Sequence, residues 1–395
     1  MSMQVDPTYA TQEERLLTKQ SYHSMKIGVP LETSLAENRV AITPEGVHML
    51  VSQGHELIVE RGAGMAARYS DHAYSEAGAQ IADDRQTVFQ CPMLLKVEPP
   101  SKDELSLMPG KQILFSVLQP NMLTKAYLQA MVDKQMTAIS YGGIKDEQGR
   151  APFIRSMAEI AGNQAITVAM EYLSTWSDGK GYVMGGITGV PPTDVVIIGA
   201  GTVGTVAAKL ATAMGASVKV FDASLSRIKA LTDQVGHGIY TCTLQPQILA
   251  KALERCDVAI ASLRPIQGRT PVVVSEDMVM QMKPRSLIVD ISIDHGGCFE
   301  TSEVTTWDAP VYTRHQVVHF CVPNITSRVA RTASFALNNL TSPLCHEIAN
   351  MGGLGQALRL SDNLRPSVYA FHGTLTDQDM ADRFNLPSTP LSLLV

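Results

Sequence analysis

Asp194-Val195-Val196-Ile197-Ile198-Gly199-Ala200-Gly201-Thr202-Val203-Gly204 is the stretch on which the fold turns. Its first half is an unbroken Val/Ile run, the pattern of a strand buried on both faces of a parallel sheet. Its second half is GxGxxG, and a helical pattern follows from Thr205 to Met214. Ser217–Phe221 reads as the next strand and leads into Asp222, 21 residues beyond Gly201. That spacing is close to the ~20 of a dinucleotide-binding βαβ unit. A loop of Gly199, Gly201, Thr202, Val203 and Gly204 allows the tight turn and the close backbone approach that a pyrophosphate at a helix N-terminus requires. A glycine turn can also do no more than pack a helix on a strand, but strand, helix and acid in sequence favour the dinucleotide. Asp222 would accept hydrogen bonds from the adenine-ribose hydroxyls and repel a 2′-phosphate, which selects NAD over NADP. Arg227 lies either beside the adenosine or on a solvated helix face.

The unit opened by this motif continues through predicted strands Asp257–Ala261 and Ser286–Ile293 to Val317–Phe320. Upstream, Lys26–Val29, Glu56–Val59, Met93–Val97, Gln112–Val117 and Thr137–Ser140 read as strands with helices between them, again a mostly parallel sheet. One helix opens at Thr43-Pro44-Glu45, where Thr43 is placed to cap, Pro44 to take the first helical position and Glu45 to face the dipole. Arg155–Ser174 reads as a long helix, with Met157, Ile160, Ala161, Ala165, Val168 and Tyr172 in one apolar stripe. Gly179, Gly181, Gly185, Gly186 and Gly189 mark a loop after it, and a second long helix is predicted from about Val329 to Ile348.

At 395 residues the chain exceeds one ordinary core, so about two domains are expected. Apolar residues at 45% and charged residues at 18% describe a globular chain and exclude disordered and collagen-like classes. A net charge of −6 supplies no basic footprint for nucleic acid or an anionic membrane. The six cysteines (Cys91, Cys242, Cys256, Cys298, Cys321 and Cys345) are scattered without a CxxC pair. They read as buried thiols of a reducing cytosol rather than a disulfide framework or a zinc site. No metal site is predicted. The first 25 residues have no apolar core of a signal peptide, although Gln12–Gln20 fits a short exposed helix. No run approaches ~20 apolar residues, so the expected location is the cytoplasm.

Ligands of open α/β sheets bind at the carboxyl ends of strands. Asp294 follows the predicted strand Ser286–Ile293 and is aimed at that crevice, whereas Asp290 lies inside the strand and reads as structural. His295, in an extended segment, faces the other way. Lys96, at the end of Met93–Val97, either holds a carboxylate or carbonyl oxygen or snorkels from a strand edge. Arg39 either grips a carboxylate bidentately or is a solvated loop residue.

Lys26-Ile27-Gly28-Val29-Pro30, Glu37-Asn38-Arg39-Val40-Ala41, Leu95-Lys96-Val97, the glycine loop, Val289 through Cys298 and Val317 through Asn324 occur in that order. Together they resemble the family of alanine dehydrogenases and nicotinamide nucleotide transhydrogenase α-subunits, from about Lys26 to Gly352. The resemblance implies an α/β fold: a Rossmann NAD-binding domain (154–330) and a discontinuous α/β substrate domain formed by both chain ends (26–153 and 331–395), behind an N-terminal extension (1–25). It implies NAD-dependent deamination of L-alanine to pyruvate and ammonium by a homo-oligomer, a hexamer in that family. By position Arg39 and Lys96 would hold the substrate carboxylate, and Ile154 and Met157 would line the methyl pocket. Asp294 would share in proton transfer and Asn324 would meet the nicotinamide end of the cofactor. Arg331 falls in the stretch that opens the second long helix.

One position departs from the alanine dehydrogenases. Their catalytic histidine is Gln119 here, and an amide does not relay a proton at neutral pH. Either Asp294 with a water takes the role, with Gln119 left to hydrogen-bond in the site, or the substrate or the reaction differs. Ser156-Met157-Ala158, Asn163 and Ser327-Arg328 resemble the transhydrogenase subunit, whereas Asp294 through Cys298 and Arg331-Thr332 resemble the dehydrogenases. The alternative functions are therefore an NAD(H)-binding component passing hydride to a partner, or a dehydrogenase for another small amino acid.

Overall fold

The computed structural model describes residues 24–34, 36–118, 123–236, 238–265 and 268–395. They divide into two compact units. The first comprises the described residues up to Thr33 together with Arg39–Phe153 and Ser334–Val395; the second comprises Ser34–Asn38 and Ile154–Ala333. The predicted helix Gln12–Gln20 and the candidate Gln119 lie outside the described residues.

The first unit opens with strands β1 (Lys26–Val29), β2 (Glu56–Glu60), β3 (Gln80–Ala82), β4 (Met93–Leu95), β5 (Ile113–Ser116) and β6 (Thr137–Ser140). The second contributes β7 (Asp194–Ile198), β8 (Ser217–Asp222), β9 (Tyr240–Thr243), β10 (Val258–Ala261), β11 (Leu287–Asp290), β12 (Val311–Arg314) and β13 (Val317–Phe320). The chain then supplies β14 (Val368–Phe371) and β15 (Thr374–Leu375) to the first unit. Helices that matter below are α1 (Pro44–Ser52), α2 (Pro152–Leu173), α3 (Thr202–Ala213), α4 (Leu225–Val235) and α5 (Ala330–Asn350).

The two sheets share one topology. In the first unit the order is β3-β2-β1-β4-β5-β6-β14-β15, parallel from β3 to β6 and antiparallel at β14 and β15. In the second it is β9-β8-β7-β10-β11-β13-β12, parallel except for the edge strand β12. Each is a doubly wound sheet whose order reverses once, between β1 and β4 and between β7 and β10. Such a reversal opens a crevice at the carboxyl ends of the two central strands. Lys96 directly follows β4 and Gly199 directly follows β7, so each crevice carries one of the predicted motifs.

The buried Val/Ile run of β7 shows why a parallel sheet forms. Val195 and Ile197 join one cluster with Ala165, Ile166, Ala207 and Ala208. Val196 and Ile198, facing the other way, join Leu249, Leu253 and Val279. A strand packed on both faces buries every side chain, at about 1.5–3 kcal/mol for each Val or Ile. In the first unit Leu94, Leu114 and Ala138 of neighbouring strands share a cluster with Leu128 and Met131.

Several boundaries differ from the sequence reading. The predicted strand Ser286–Ile293 ends at Asp290, and Ile291–His295 is a 3-10 turn. His295 is therefore not in an extended segment, and the alternation argument for its direction does not apply. Met93–Val97 stops at Leu95. Helix α3 begins at Thr202 rather than Thr205, because the loop glycines serve as its cap. Thr43 takes the N-cap position of α1 without a capping bond from its side chain. Its own backbone N–H donates to Asn338 Oδ1 at 3.2 Å. Strands β3, β9, β12, β14 and β15 went unpredicted, being short and near sheet edges, where pairing rather than hydrophobic pattern creates them.

Candidate functional site

In the second unit the three glycines of the loop do three different things. Gly199 has φ +114°, and a Cβ there would meet Ser262 Oγ at 2.7 Å. Gly204 is in close helix-to-strand packing, since its Cβ would lie 1.8 Å from Gly199 O. A Cβ on Gly201 would meet nothing within 4 Å. Only that glycine needs no space for packing, and it is the one whose bareness lets a phosphate approach the backbone. Thr202 and Val203 begin α3 behind it, with the positive end of the helix dipole facing the loop. The loop therefore fits a dinucleotide pyrophosphate. Ser262, after β10, was not singled out from sequence; its hydroxyl donates to Ile198 O and Gly199 O, both at 3.1 Å.

Asp222 ends β8 and is 1% exposed. Its Oδ2 accepts from Ala200 N at 2.7 Å, which ties the second strand to the glycine loop. Its Oδ1 accepts from Ser224 N at 2.7 Å and from Arg227 Nη2 at 2.9 Å. Arg227, on the first turn of α4, is neither purely solvated nor independent of Asp222. The pair places a carboxylate and a guanidinium together at the strand end where an adenine ribose would lie.

The turn after β11 is built around Asp290. Its carboxylate accepts from Ser292 N at 2.9 Å, Cys298 N at 3.0 Å and Ser302 Oγ at 2.7 Å. Burial nevertheless pushes its pKa up to about 6. Asp290 thus pins both ends of the turn that presents Asp294, which is exposed. Asp294 Oδ1 accepts from Asn324 N at 2.8 Å. Asn324 itself has left-handed backbone, φ +53°. Its side chain was expected to meet a nicotinamide; it donates from Nδ2 to Ala36 O and Glu37 Oε2, both at 3.0 Å, and accepts from Thr326 Oγ1 at 3.1 Å. Ile154 and Met157 are half-buried on the first turns of α2. Arg331 is exposed on the first turn of α5.

In the first unit Lys96 is fully buried, not snorkelling. Its Nζ lies 2.6 Å from Glu32 Oε2 and 3.6 Å from Glu104 Oε2. Glu32, shortly after β1, also accepts from Val97 N at 2.6 Å. Glu104 completes a capping box with Ser101, accepts from Thr33 Oγ1 at 3.2 Å and lies 3.3 Å from Arg85 Nη2. Arg85 in turn pairs with Glu60 at 3.0 Å. The switch point of this sheet therefore presents an ammonium whose charge is held in a fixed lattice of carboxylates. Arg39 is also buried, at 6% exposure. Sequence reasoning missed Glu32 and Glu104; the Ser101-x-x-Glu104 pattern was a legible signal for the second.

A cavity of about 360 Å³ in this unit, lined in part by Ile113, Thr137, Arg359 and His372, lies at the amino ends of β5 and β6. That is the edge opposite Lys96, and none of the predicted site residues lines it. Among the described residues no cluster of three or more His, Cys, Asp or Glu side chains is arranged to hold a metal, and no helix is long and apolar enough to cross a membrane.

Two family models match the chain: "Alanine dehydrogenase/PNT, N-terminal domain" over residues 28–161 and "Alanine dehydrogenase/PNT, C-terminal domain" over 165–378. An alanine dehydrogenase of Staphylococcus epidermidis is 38% identical over 368 residues, 93% of this chain and 99% of that one. One of Methanococcus maripaludis is 40% identical over 372 residues, 93% and 98% of the two chains. Among solved structures, an L-alanine dehydrogenase superposes with a TM-score of 0.86 at 33% identity, covering 91% of this chain and 99% of that one.

Proposed function

Since the chain belongs to the alanine dehydrogenase/PNT family, we propose that it catalyses the reversible NAD-dependent oxidative deamination of L-alanine to pyruvate and ammonium. The observation that carries this reading is the buried Lys96 ammonium at the switch point of the first sheet, on a chain about as long as the alanine dehydrogenases it matches. A fixed cation at that edge suits a substrate that carries a carboxylate.

Bound NAD supplies the hydride acceptor, and the chain supplies alignment and charge. Gly199, Gly201, Thr202, Val203 and Gly204 hold the pyrophosphate. Asp222 and Arg227 hold the adenosine end, Asp222 favouring the unphosphorylated ribose. Arg39 and Lys96 hold the carboxylate of alanine or pyruvate, and Ile154 and Met157 flank the methyl group. Asp294, oriented by the Asn324 N–H, takes the proton from the substrate ammonium and orients the water that hydrolyses the imine. With Gln119 in the place of the family's histidine, that proton work falls to Asp294 and water. By the same resemblance the protein is a cytoplasmic homo-oligomer, a hexamer.

Gln119 also favours a second reading, in which the chain binds NAD(H) and passes hydride to a partner protein. Consumption of NADH by the purified protein with pyruvate and ammonium, run beside glyoxylate and longer 2-oxo acids, separates the two. The expected result is turnover with pyruvate that disappears in Lys96→Ala. Tight NADH binding without turnover of any oxo acid would overturn the dehydrogenase reading and support the second. Gln119→His is expected to raise alanine turnover, since a general acid–base group contributes about 10²–10⁴-fold.

A further inference from the structure

Residues 31–33, which follow β1 at the switch point of the first sheet, are held one by one by charged side chains. Leu31 N donates to Glu60 Oε2 at 2.8 Å, and Leu31 O accepts from Arg85 Nη2 at 2.8 Å. The Glu32 carboxylate accepts from Lys96 Nζ and Val97 N, both at 2.6 Å. Thr33 Oγ1 donates to Glu104 Oε1 at 3.2 Å. All of these residues belong to the first unit.

Arg85 opens the short helix Arg85–Phe89 and joins three of these parts through one guanidinium. Its Nε donates to both Glu60 oxygens, at 3.0 and 3.3 Å. Its Nη2 donates to Leu31 O and lies 3.3 Å from Glu104 Oε1. The other oxygen of Glu104 faces Lys96 Nζ at 3.6 Å. One carboxylate, 2% exposed, thus stands between two cations. Glu32, Glu60 and Glu104 meet Lys96 and Arg85 here, so neither cation is in surplus. A carboxylate so deeply buried has no water to turn to, and one deprived of its guanidinium is drawn to the next cation within reach. For Glu104 that cation is Lys96. The ammonium would then be pulled from Glu32 towards Glu104, and less of its charge would be left for a substrate. A guanidinium fork serves three acceptors in fixed geometry, which an ammonium in its place does not.

We propose that Arg85 is a positioning residue for Lys96. It takes up Glu104 and anchors the loop that carries Glu32, so that the Lys96 charge stays available to the substrate carboxylate, and it touches no substrate itself. The proposal rests on the reading of Lys96 as a holder of that carboxylate.

Pyruvate kinetics of the full-length protein and three variants test it. Arg85→Met is expected to raise the pyruvate KM about tenfold, a part of what a unit charge one carboxylate away from Lys96 is worth at an effective dielectric near 20. Its kcat is expected to change less than about threefold, and its Kd for NADH by fluorescence titration less than about twofold. Arg85→Lys, which keeps the charge and loses the fork, is expected to fall between Arg85→Met and the parent. Glu60→Gln removes a competing carboxylate and leaves an acceptor for Leu31 N. Its pyruvate KM is expected to move the other way, about twofold down. A role in packing alone would raise KM in all three variants, so a rise in Glu60→Gln overturns the proposal, as does a KM unmoved in both Arg85 variants. Should Arg85→Met not fold, Arg85→Lys and Glu60→Gln carry the test by their opposite signs. Lys96→Ala distinguishes the premise. If pyruvate turnover survives it unchanged, the carboxylate-holding role of Lys96 fails; if turnover is lost while the Arg85 variants match the parent, only the role of Arg85 fails.

Discussion

Exchange of Glu32 for glutamine tests the buried ion cluster of the first unit. Lys96 is 1% exposed and has Glu32 Oε2 at 2.6 Å and Glu104 Oε2 at 3.6 Å. Removing one partner of a buried pair costs about 3–5 kcal/mol, because the charge left behind has lost both water and its counter-ion. Glu104 remains to compensate Lys96 in part, which places Glu32→Gln near the lower end, ~3 kcal/mol. The glutamine also has one carbonyl oxygen to serve two donors, Lys96 Nζ and Val97 N, and its NH₂ must face one of them. For a unit of this size each kcal/mol lowers Tm by about 2–4 °C, so the variant is expected to melt roughly 6–12 °C below the parent. Lys96→Met carries a similar cost from the other side, since Glu32 and Glu104 then lack the shared cation. In the double variant neither charge is left unpaired, because Glu104 keeps Arg85 at 3.3 Å. The double cost is therefore expected to fall short of the sum by about 2 kcal/mol. Urea and thermal melts of the four proteins by circular dichroism close the cycle. Additivity within ~0.5 kcal/mol would refute mutual compensation by Lys96 and Glu32.

Further expectations concern pH, the glycine loop and helix caps. Asp290 is pushed up to about 6 by burial, so between pH ~4 and ~6 the folded chain holds a proton that the unfolded chain has lost. Its contribution is full below pH ~4 and falls by about 3 kcal/mol as pH rises to 6; Asp290→Asn is expected to remove that slope from a pH series of urea melts. His319, lowered to about 4 chiefly by burial, has the opposite sign: its stability is present above pH ~6.5 and is lost as pH falls towards 4. His319→Gln is expected to lose that slope, and a retained slope in either variant would locate the titration elsewhere. Gly201→Ala is expected to melt like the parent and bind NADH about tenfold more weakly. Gly204→Ala, whose Cβ would lie 1.8 Å from Gly199 O, is expected to lose at least ~1–3 kcal/mol of stability as well. Equal melting of the two alanine variants would contradict the division of labour among the glycines. Thr43→Val is expected to cost little, because that hydroxyl makes no capping bond, whereas Ser101→Ala breaks a capping box and is expected to cost about 1 kcal/mol.

Much of the fold is local in origin and was legible in the chain. The Val/Ile run of β7, the glycine loop and Asp222 lie close in sequence, and their pattern by itself identifies a parallel strand, a tight turn and an acid at the next strand end. The same holds for the exact bounds of β1, β6 and β13, where buried apolar runs end at turns. Lys96 and Asp294 fall at the carboxyl ends of strands by sequence alone, because chain direction fixes which residues follow a parallel strand. The resemblance by motif added the substrate class, which no single residue carries.

Tertiary structure decided the rest. Lys96 could be a surface lysine or a buried ammonium until Glu32 and Glu104 were brought to it from 64 and 8 residues away. Thr43 has the position of a helix cap, yet its hydroxyl makes no capping bond and only its own backbone N–H finds a partner, in Asn338 from the far end of the chain. Asp290 read as an interior strand residue and is the anchor of a turn, because the strand ends where its carboxylate finds donors eight and twelve residues ahead. Asn324 is expected by resemblance at the cofactor, and nothing local announces that its amide grips a segment almost 300 residues earlier. The physical reason is common to all four. Hydrophobic period and turn chemistry act between near neighbours and are written in order along the chain, whereas the charge state, partners and aim of a buried polar group depend on which distant groups the packed sheets bring within about 3 Å of it.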